Sequence, residues 1–327
     1  MHILILGAAG MLGRKLAERL AHDVTLGGQA VDRLTLVDVV EPTVPAGFTG
    51  LCDCLAVDLA SEGAASGLAA RRPDLIFHLA AIVSGEAEAD LEIGYRVNLD
   101  GTRALLDAIR IEGSSGWRPR VVFSSSNAVY GGTLPDVIDD TFVVTPQTSY
   151  GTQKAMGELL LADYSRRGIL DGIGLRLPTI CVRPGKPNRA ASSFFSGIIR
   201  EPLAGQEAIL PVADTLRHWF TSPRSAIGFL IHAATLDLAL LGDRPNLNMP
   251  GLSATVAEQI EALRRIAGDK VVALIRSEPD PAIERIVSGW ARAFDPARAR
   301  ALGFTAETRF DDIIRAHVED ELGGTIG

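Results

Sequence analysis

Three cysteines are all that this 327-residue chain contains, Cys52, Cys54 and Cys181. An odd, scattered set excludes a disulfide framework and suits the reducing cytoplasm, the expected location. Cys52-Asp-Cys54 lacks zinc spacing and has no His or Cys cluster to complete it, so no metal site is expected. No block of Lys or Arg stands out and the net charge is −8, which excludes nucleic acid and anionic membranes as partners. No apolar window reaches about 18 residues, so no membrane span is expected. The N-terminus lacks the basic region and cleavage site of a signal peptide. There is no internal repeat and no low-complexity segment. A serine hydrolase is excluded because no Gly-x-Ser-x-Gly elbow is present and no His is evidently paired with a serine.

What is present is apolar material, 47% of residues against 22% charged. That supports a sizeable core, in two domains or in one large α/β domain with an appended lobe. His2 to Leu6 reads as a buried parallel strand. It runs into Gly7-Ala-Ala-Gly10-Met11-Leu12-Gly13 and then a helical period, a strand, glycine turn and helix in which glycines serve three needs. One permits a tight bend, one lets the backbone approach a pyrophosphate, and one lets helix and strand pack closely. The phosphates then meet the free amides of the helix N-terminus.

Leu34 to Asp38 is the second strand, ending in an acid 25 residues beyond Gly13. A carboxylate there accepts hydrogen bonds from the adenosine ribose and repels a 2′-phosphate. Val39 and Val40 follow with no Arg, so NAD is expected over NADP. A third strand, Cys54 to Leu59, brings Asp58 and Leu59 to the adenine edge. A fourth runs from Pro73 into Leu79, Ala80 and Ala81, where small residues let a cofactor lie close; His78 reads as a packed core residue. Residues 82 to 86 are expected to form a loop whose Ser84 faces substrate. Asn98, opening a helix, is either a packing amide or a group that orders the site. A fifth strand, Arg120 to Ser126, breaks into three serines, and a sixth spans Ile173 to Pro178.

Tyr150-Gly-Thr-Gln-Lys154 places a phenol and an ammonium one helical turn apart on one face. The cation lowers the tyrosine pKa, making a usable general base. Strands alternating with helices, with no hairpin signal, imply a doubly wound parallel (Rossmann) sheet. Residues 1–183 and 217–244 are assigned to it. Residues 184–216 and 245–327 form a smaller interleaved α+β substrate-binding lobe, which includes a helix at 255–266.

Taken in order, the glycine motif, Asp38, Asn98, the triple serine and Tyr150/Lys154 resemble the extended short-chain dehydrogenase/reductases. These include many sugar-nucleotide epimerases and dehydratases. The resemblance implies that Tyr150 is the general base and that Lys154 holds the nicotinamide ribose. It further implies that Ser126 hydrogen-bonds the reacting oxygen, that Pro178 lies against the nicotinamide, and that the protein is a homodimer. His78 to Glu88, Arg183 to Phe195 and Arg217 to Ser222 look less like the epimerases. They look more like the threonine 3-dehydrogenase branch and, closer still, the D-erythronate dehydrogenase group, implying a small sugar-acid substrate. A carboxylate needs a cation, for which Arg183, Lys186, Arg189 and Arg217 are available and Arg183 and Arg217 preferred. Ser84 and Asn188 are candidates for binding substrate hydroxyls. The alternatives are a nucleotide-sugar epimerase or dehydratase, a threonine 3-dehydrogenase-like enzyme, and a non-catalytic NAD sensor.

Overall fold

The computed structural model describes residues 1–185 and 191–325. They divide into two compact units, each drawn from three stretches of chain. The first comprises Met1–Val129, Thr148–Arg176 and Ile227–Leu247; the second comprises Tyr130–Gln147, Leu177–Ala226 and Asn248–Gly327. Residues 130–147, 177–183 and 217–226, assigned from sequence to the sheet domain, group with the second unit, and residues 245–247, assigned to the lobe, group with the first.

The first unit is built on a seven-stranded sheet. Its strands are β1 (His2–Leu6), β2 (Arg33–Asp38), β3 (Leu51–Ala56), β4 (Leu75–His78), β5 (Arg120–Ser126), β6 (Asp171–Leu177) and β7 (Asn246–Asn248). The order is β7-β6-β5-β4-β1-β2-β3. β1 lies between β2 and β4 and is parallel to both, with Ile3 opposite Leu34 and Leu75. Ile3, Leu4, Ile5 and Leu6 are all buried, which is why the strand reads as a continuous apolar run instead of an alternation. The helix Met11–Asp23 buries Leu16, Ala17, Leu20 and Ala21, one stripe at helical spacing. Leu105, Leu106 and Ile109 of the helix Gly101–Glu112 join Leu4, Ile76, Val121, Phe123 and Leu161 in one core.

Four details differ from the sequence reading. The third strand ends at Ala56, so Asp58 lies in the loop beyond it. Residues Ser84–Ala89 form a helix, so Ser84 opens a helix and does not sit in a loop. A short antiparallel hairpin joins Thr25–Leu26 to Gln29–Ala30. Its turn is Gly27-Gly28, both with positive φ, a dipeptide that favours such hairpins. The sheet also gains a seventh strand, β7, whose three residues are too few to show a period.

The second unit has a three-stranded sheet in which Thr179–Ile180 pairs in parallel with Arg217–Thr221, and Arg217–Thr221 pairs antiparallel with Leu252–Thr255. Phe195, Ile198, Phe220, Val256, Leu263, Phe310 and Ile314 form its core. The helix Val256–Ala267 starts at a capping box: Thr255 Oγ1 accepts from the Glu258 amide and Glu258 accepts from the Thr255 amide. Among the described residues, no helix is long and apolar enough to cross a membrane.

Candidate active site

The glycine turn makes one end of the first unit into a crevice. Gly7 has φ +84, and a Cβ there would strike the backbone of Leu79 and Ala80, so only glycine allows β1 to turn against β4. A Cβ on Gly13 would enter the backbone of Gly7 and Ala8, so Gly13 lets the helix seat on the strand. Gly10 is exposed at the N-cap, and no side chain caps the first helical amides. Met11 and Leu12 therefore present N–H groups at the positive end of the helix with no acid in its first turn. A pyrophosphate fits such a cradle.

Beside it lies a shallow crevice, partly open to solvent, lined by Gly7, Asp38, Val39, Asp58, Leu59 and Ala80 among others. Asp38 Oδ2 accepts from the Ala9 amide at 2.9 Å and Oδ1 from the Val39 amide at 2.7 Å. The carboxylate is thus fixed between the glycine turn and the end of β2. Asp58 Oδ2 pairs with Arg96 at 2.6 Å, and Oδ1 accepts from the Ala60 amide at 2.9 Å. The Arg96 hydrogen bond holds the Asp58 carboxyl below the usual carboxylate range. Glycines, amides and two fixed carboxylates together suit a dinucleotide, with an adenosine at the crevice.

Tyr150 and Lys154 both lie on the helix Ser149–Arg166, whose N-cap Thr148 accepts from the Gly151 amide at 3.1 Å. Lys154 is 2% exposed, with Nζ donating to the Ser124 carbonyl at 2.7 Å. That nitrogen sits 4.8 Å from the Phe123 ring centroid and 5.7 Å from that of Tyr150. Burial pulls the Lys154 ammonium down to about 7, opposed by Glu158. The three serines ending β5 do three different things. Ser124 Oγ donates to the His78 carbonyl, Ser125 Oγ donates to Glu158, and Ser126 Oγ accepts from the Ala128 amide at 3.1 Å. His78 is buried, bonded to Thr102 and pushed down to about 3, first by burial and then by Lys154, so it is neutral packing.

Asn98 lies in a π-helical turn, Tyr95–Asp100, a wider turn often found at functional sites. Its Oδ1 accepts from the Ile82 amide at 2.8 Å, while Nδ2 donates to the Ile82 carbonyl and to Gln153. These contacts tie the 79–83 loop to the Tyr150 helix. Asn98, counted from sequence among the cofactor-binding residues, has its side-chain amide engaged by Ile82 and Gln153.

A family model for the NAD dependent epimerase/dehydratase family matches residues 3–220. The chain belongs to that family. It is 50% identical to a D-erythronate dehydrogenase of Cupriavidus necator, with 98% of each chain covered. It is 42% identical to a D-erythronate dehydrogenase of Haemophilus influenzae, covering 98% of this chain and 100% of that one. Among solved structures it resembles a nucleoside-diphosphate-sugar epimerase from Agrobacterium tumefaciens, at 63% identity and TM-score 0.98, with 100% and 96% covered. This member of the epimerase/dehydratase family is an oxidoreductase that uses a nicotinamide cofactor.

Of the remaining expected residues, Ala81 and Ser84 belong to the first unit, Ser84 at the start of its helix, and Pro178, Arg183 and Arg217 to the second. Pro178 is buried immediately after β6. Arg183 has its backbone clamped, its amide donating to Ser196 Oγ at 3.0 Å and its carbonyl accepting from Arg200 at 2.7 Å. Arg217 is already engaged, with Nη1 on the Ser253 carbonyl and Nη2 paired with Glu258 at 3.2 Å. Lys186, Asn188 and Arg189 lie outside the described residues.

The sequence reading missed Glu158 and Arg176. Glu158 follows Lys154 by one more turn of the same face, and Arg176 is the lone charge between Leu175 and Leu177 in a buried strand. Arg176 Nε donates to Glu158 Oε1 at 2.9 Å and Nη2 donates to Oε2 at 2.7 Å. The signals were a third polar residue at the helical repeat and a cation where an apolar residue belongs.

Proposed function

We propose that the protein is an NAD-dependent dehydrogenase that oxidises an alcohol of a short sugar acid, D-erythronate or a close analogue, to the keto acid. The observation that carries this is the buried Lys154 ammonium, pinned to the Ser124 carbonyl 5.7 Å from the Tyr150 ring. A cation held at that distance in a dry site favours the phenolate, which is the base an alcohol oxidation needs. The names of two relatives, both D-erythronate dehydrogenases, supply the substrate class. NAD is preferred over NADP because Asp38 brings a carboxylate where a 2′-phosphate would sit, with Val39 and Val40 beyond it.

Gly7, Gly10, Met11, Leu12 and Gly13 would hold the pyrophosphate. Asp38 would hold the adenosine ribose, and Asp58 and Leu59 would border the adenine. When bound, NAD supplies the hydride acceptor. Tyr150 takes the proton of the substrate hydroxyl at its phenolate oxygen. Ser126 donates a hydrogen bond to the same substrate oxygen as it becomes a carbonyl. Lys154 keeps the phenolate charged until the proton arrives and donates to the nicotinamide ribose. Arg183, with its backbone fixed, is the proposed partner of the substrate carboxylate. Arg217 takes that role only by leaving Glu258.

Tyr150→Phe tests the reading: turnover falls by about 10²- to 10⁴-fold while NAD binding persists. Unchanged turnover in that variant removes Tyr150 as the base. A second reading, a nucleotide-sugar epimerase, is favoured by the name of the Agrobacterium tumefaciens structure. Interconversion of a nucleotide-sugar pair without net NADH formation would establish it.

A further inference from the structure

The pair that the sequence reading missed has no part in the chemistry just described, yet it adjoins both catalytic elements. Glu158 is 3% exposed on the Tyr150 helix, one turn beyond Lys154. Three hydrogen bonds from Arg176 grip its carboxylate, at 2.9, 3.2 and 2.7 Å. A fourth comes from Ser125 Oγ at 2.5 Å, from the residue that precedes Ser126 and follows the Ser124 carbonyl on which Lys154 rests. We infer that Glu158 is a positioning residue whose fixed charge keeps Lys154 protonated and so sets the pH range in which Tyr150 works. This rests on the dehydrogenase reading, with Tyr150 as base.

The surroundings leave Glu158 as the compensating charge. Lys154 is covered by the Phe123 ring and the Ser124 carbonyl of β5. His78 of β4 is neutral near it, held down to about 3. From the neighbouring π turn, Arg96 is paired with Asp58, and from the 84–89 helix Glu88 accepts the Ser149 amide. Burial alone pulls the Lys154 ammonium down, and Glu158 is the group that opposes it. An ammonium at about 7 sits at the edge of losing its proton under ordinary conditions, so a small change in the opposing charge changes its state. Arg176 and Ser125 fix where that charge sits.

A merely structural ion pair makes a different prediction. Breaking it would lower the rate at every pH or unfold the protein. The test is the pH profile of kcat for NAD-dependent oxidation by wild type, Glu158→Gln and the double variant Glu158→Gln/Arg176→Met. The double variant removes the pair with near-isosteric uncharged groups, a change buried pairs often tolerate, and carries the test should the single variant fail to fold. Losing the Glu158 charge neutralises Lys154 at lower pH, which leaves the phenolate harder to form. The rising limb therefore moves up by about one pH unit, a rate roughly tenfold lower near pH 7 that recovers at high pH. NAD binding changes little. A double variant whose rate is uniformly lower, with the rising limb where wild type has it, overturns the inference. Tyr150→Phe run alongside separates the two failures: full turnover there sinks the base assignment itself, whereas an inactive Tyr150→Phe with an unshifted limb sinks only the role of Glu158.

Discussion

Gly151 lies directly against Ala128. A Cβ at position 151 would fall inside van der Waals contact with the Ala128 carbonyl, so the helix carrying Tyr150 reaches the turn after Ser126 only because residue 151 has no side chain. Ser126 is fixed to that same turn through the Ala128 amide. The start of the Tyr150 helix and the turn after Ser126 thus meet through a backbone contact.

Gly151→Ala should therefore cost both stability and rate. The clash is with backbone, which cannot move aside as a flexible side chain would, so overpacking of about 1–3 kcal/mol is expected in denaturant unfolding. The surviving folded fraction should show a kcat reduced more than its KM for NAD. A variant as stable and active as wild type would mean that helix and turn can separate without consequence.

Asp38 is the proposed specificity residue for the cofactor. Removing its charge in Asp38→Ala takes away an ionised acceptor whose hydrogen bonds are worth about 1.5–3 kcal/mol, so KM for NAD should rise roughly 10- to 100-fold. Adding Arg in Asp38→Ser/Val39→Arg should move preference toward NADP. Kinetics with each nucleotide read this directly; an Asp38→Ala enzyme with an unchanged KM would take the ribose away from that carboxylate.

How much of this could be read from the chain depends on how local each feature is. The strand, glycine turn and helix at residues 2–23, and the Tyr150/Lys154 face, depend on neighbours within a few residues, and their periods and glycines were legible. Asp58 and Arg96 are 38 positions apart and Glu158 and Arg176 are 18 apart, so their pairing is a property of the folded sheet. Residues 84–86 depart from the expected loop for a related reason: Ser84–Ala89 is a six-residue helix with no side-chain cap, too short to show a period.

Lys154 carries a stability signature beside its proposed role at the site. Its folded value near 7 lies below the ordinary lysine value of about 10.4, so between those limits the unfolded chain holds a proton that the folded chain has released. Folding then gains with rising pH, by at most about 1.4 kcal/mol per unit. Lys154→Met lacks this term. Relative to wild type it should be most stable at or below pH 7, and the difference should shrink towards pH 9.5. Parallel unfolding curves with a constant offset would show that the buried ammonium is not strained.

Acid should weaken the protein before its carboxylates titrate. Burial holds His78 near 3 and His218 near 4, so as pH falls below about 6.5 the unfolded chain takes up protons that the folded chain refuses. Stability is lost from there downward. Replacing both residues in His78→Gln/His218→Gln should flatten the slope of unfolding free energy between pH 6.5 and 5, whatever it does to the absolute value. An unaltered slope would place the acid sensitivity elsewhere.

The dehydrogenase assignment is tested most directly by NADH absorbance when purified protein, NAD and D-erythronate are mixed, with NADP, L-threonine and nucleotide sugars in parallel. NADH should form with D-erythronate and NAD, much less with NADP, and about 10²- to 10⁴-fold more slowly with Tyr150→Phe. NAD bound but silent with every sugar acid, alongside turnover of a nucleotide sugar, would contradict it.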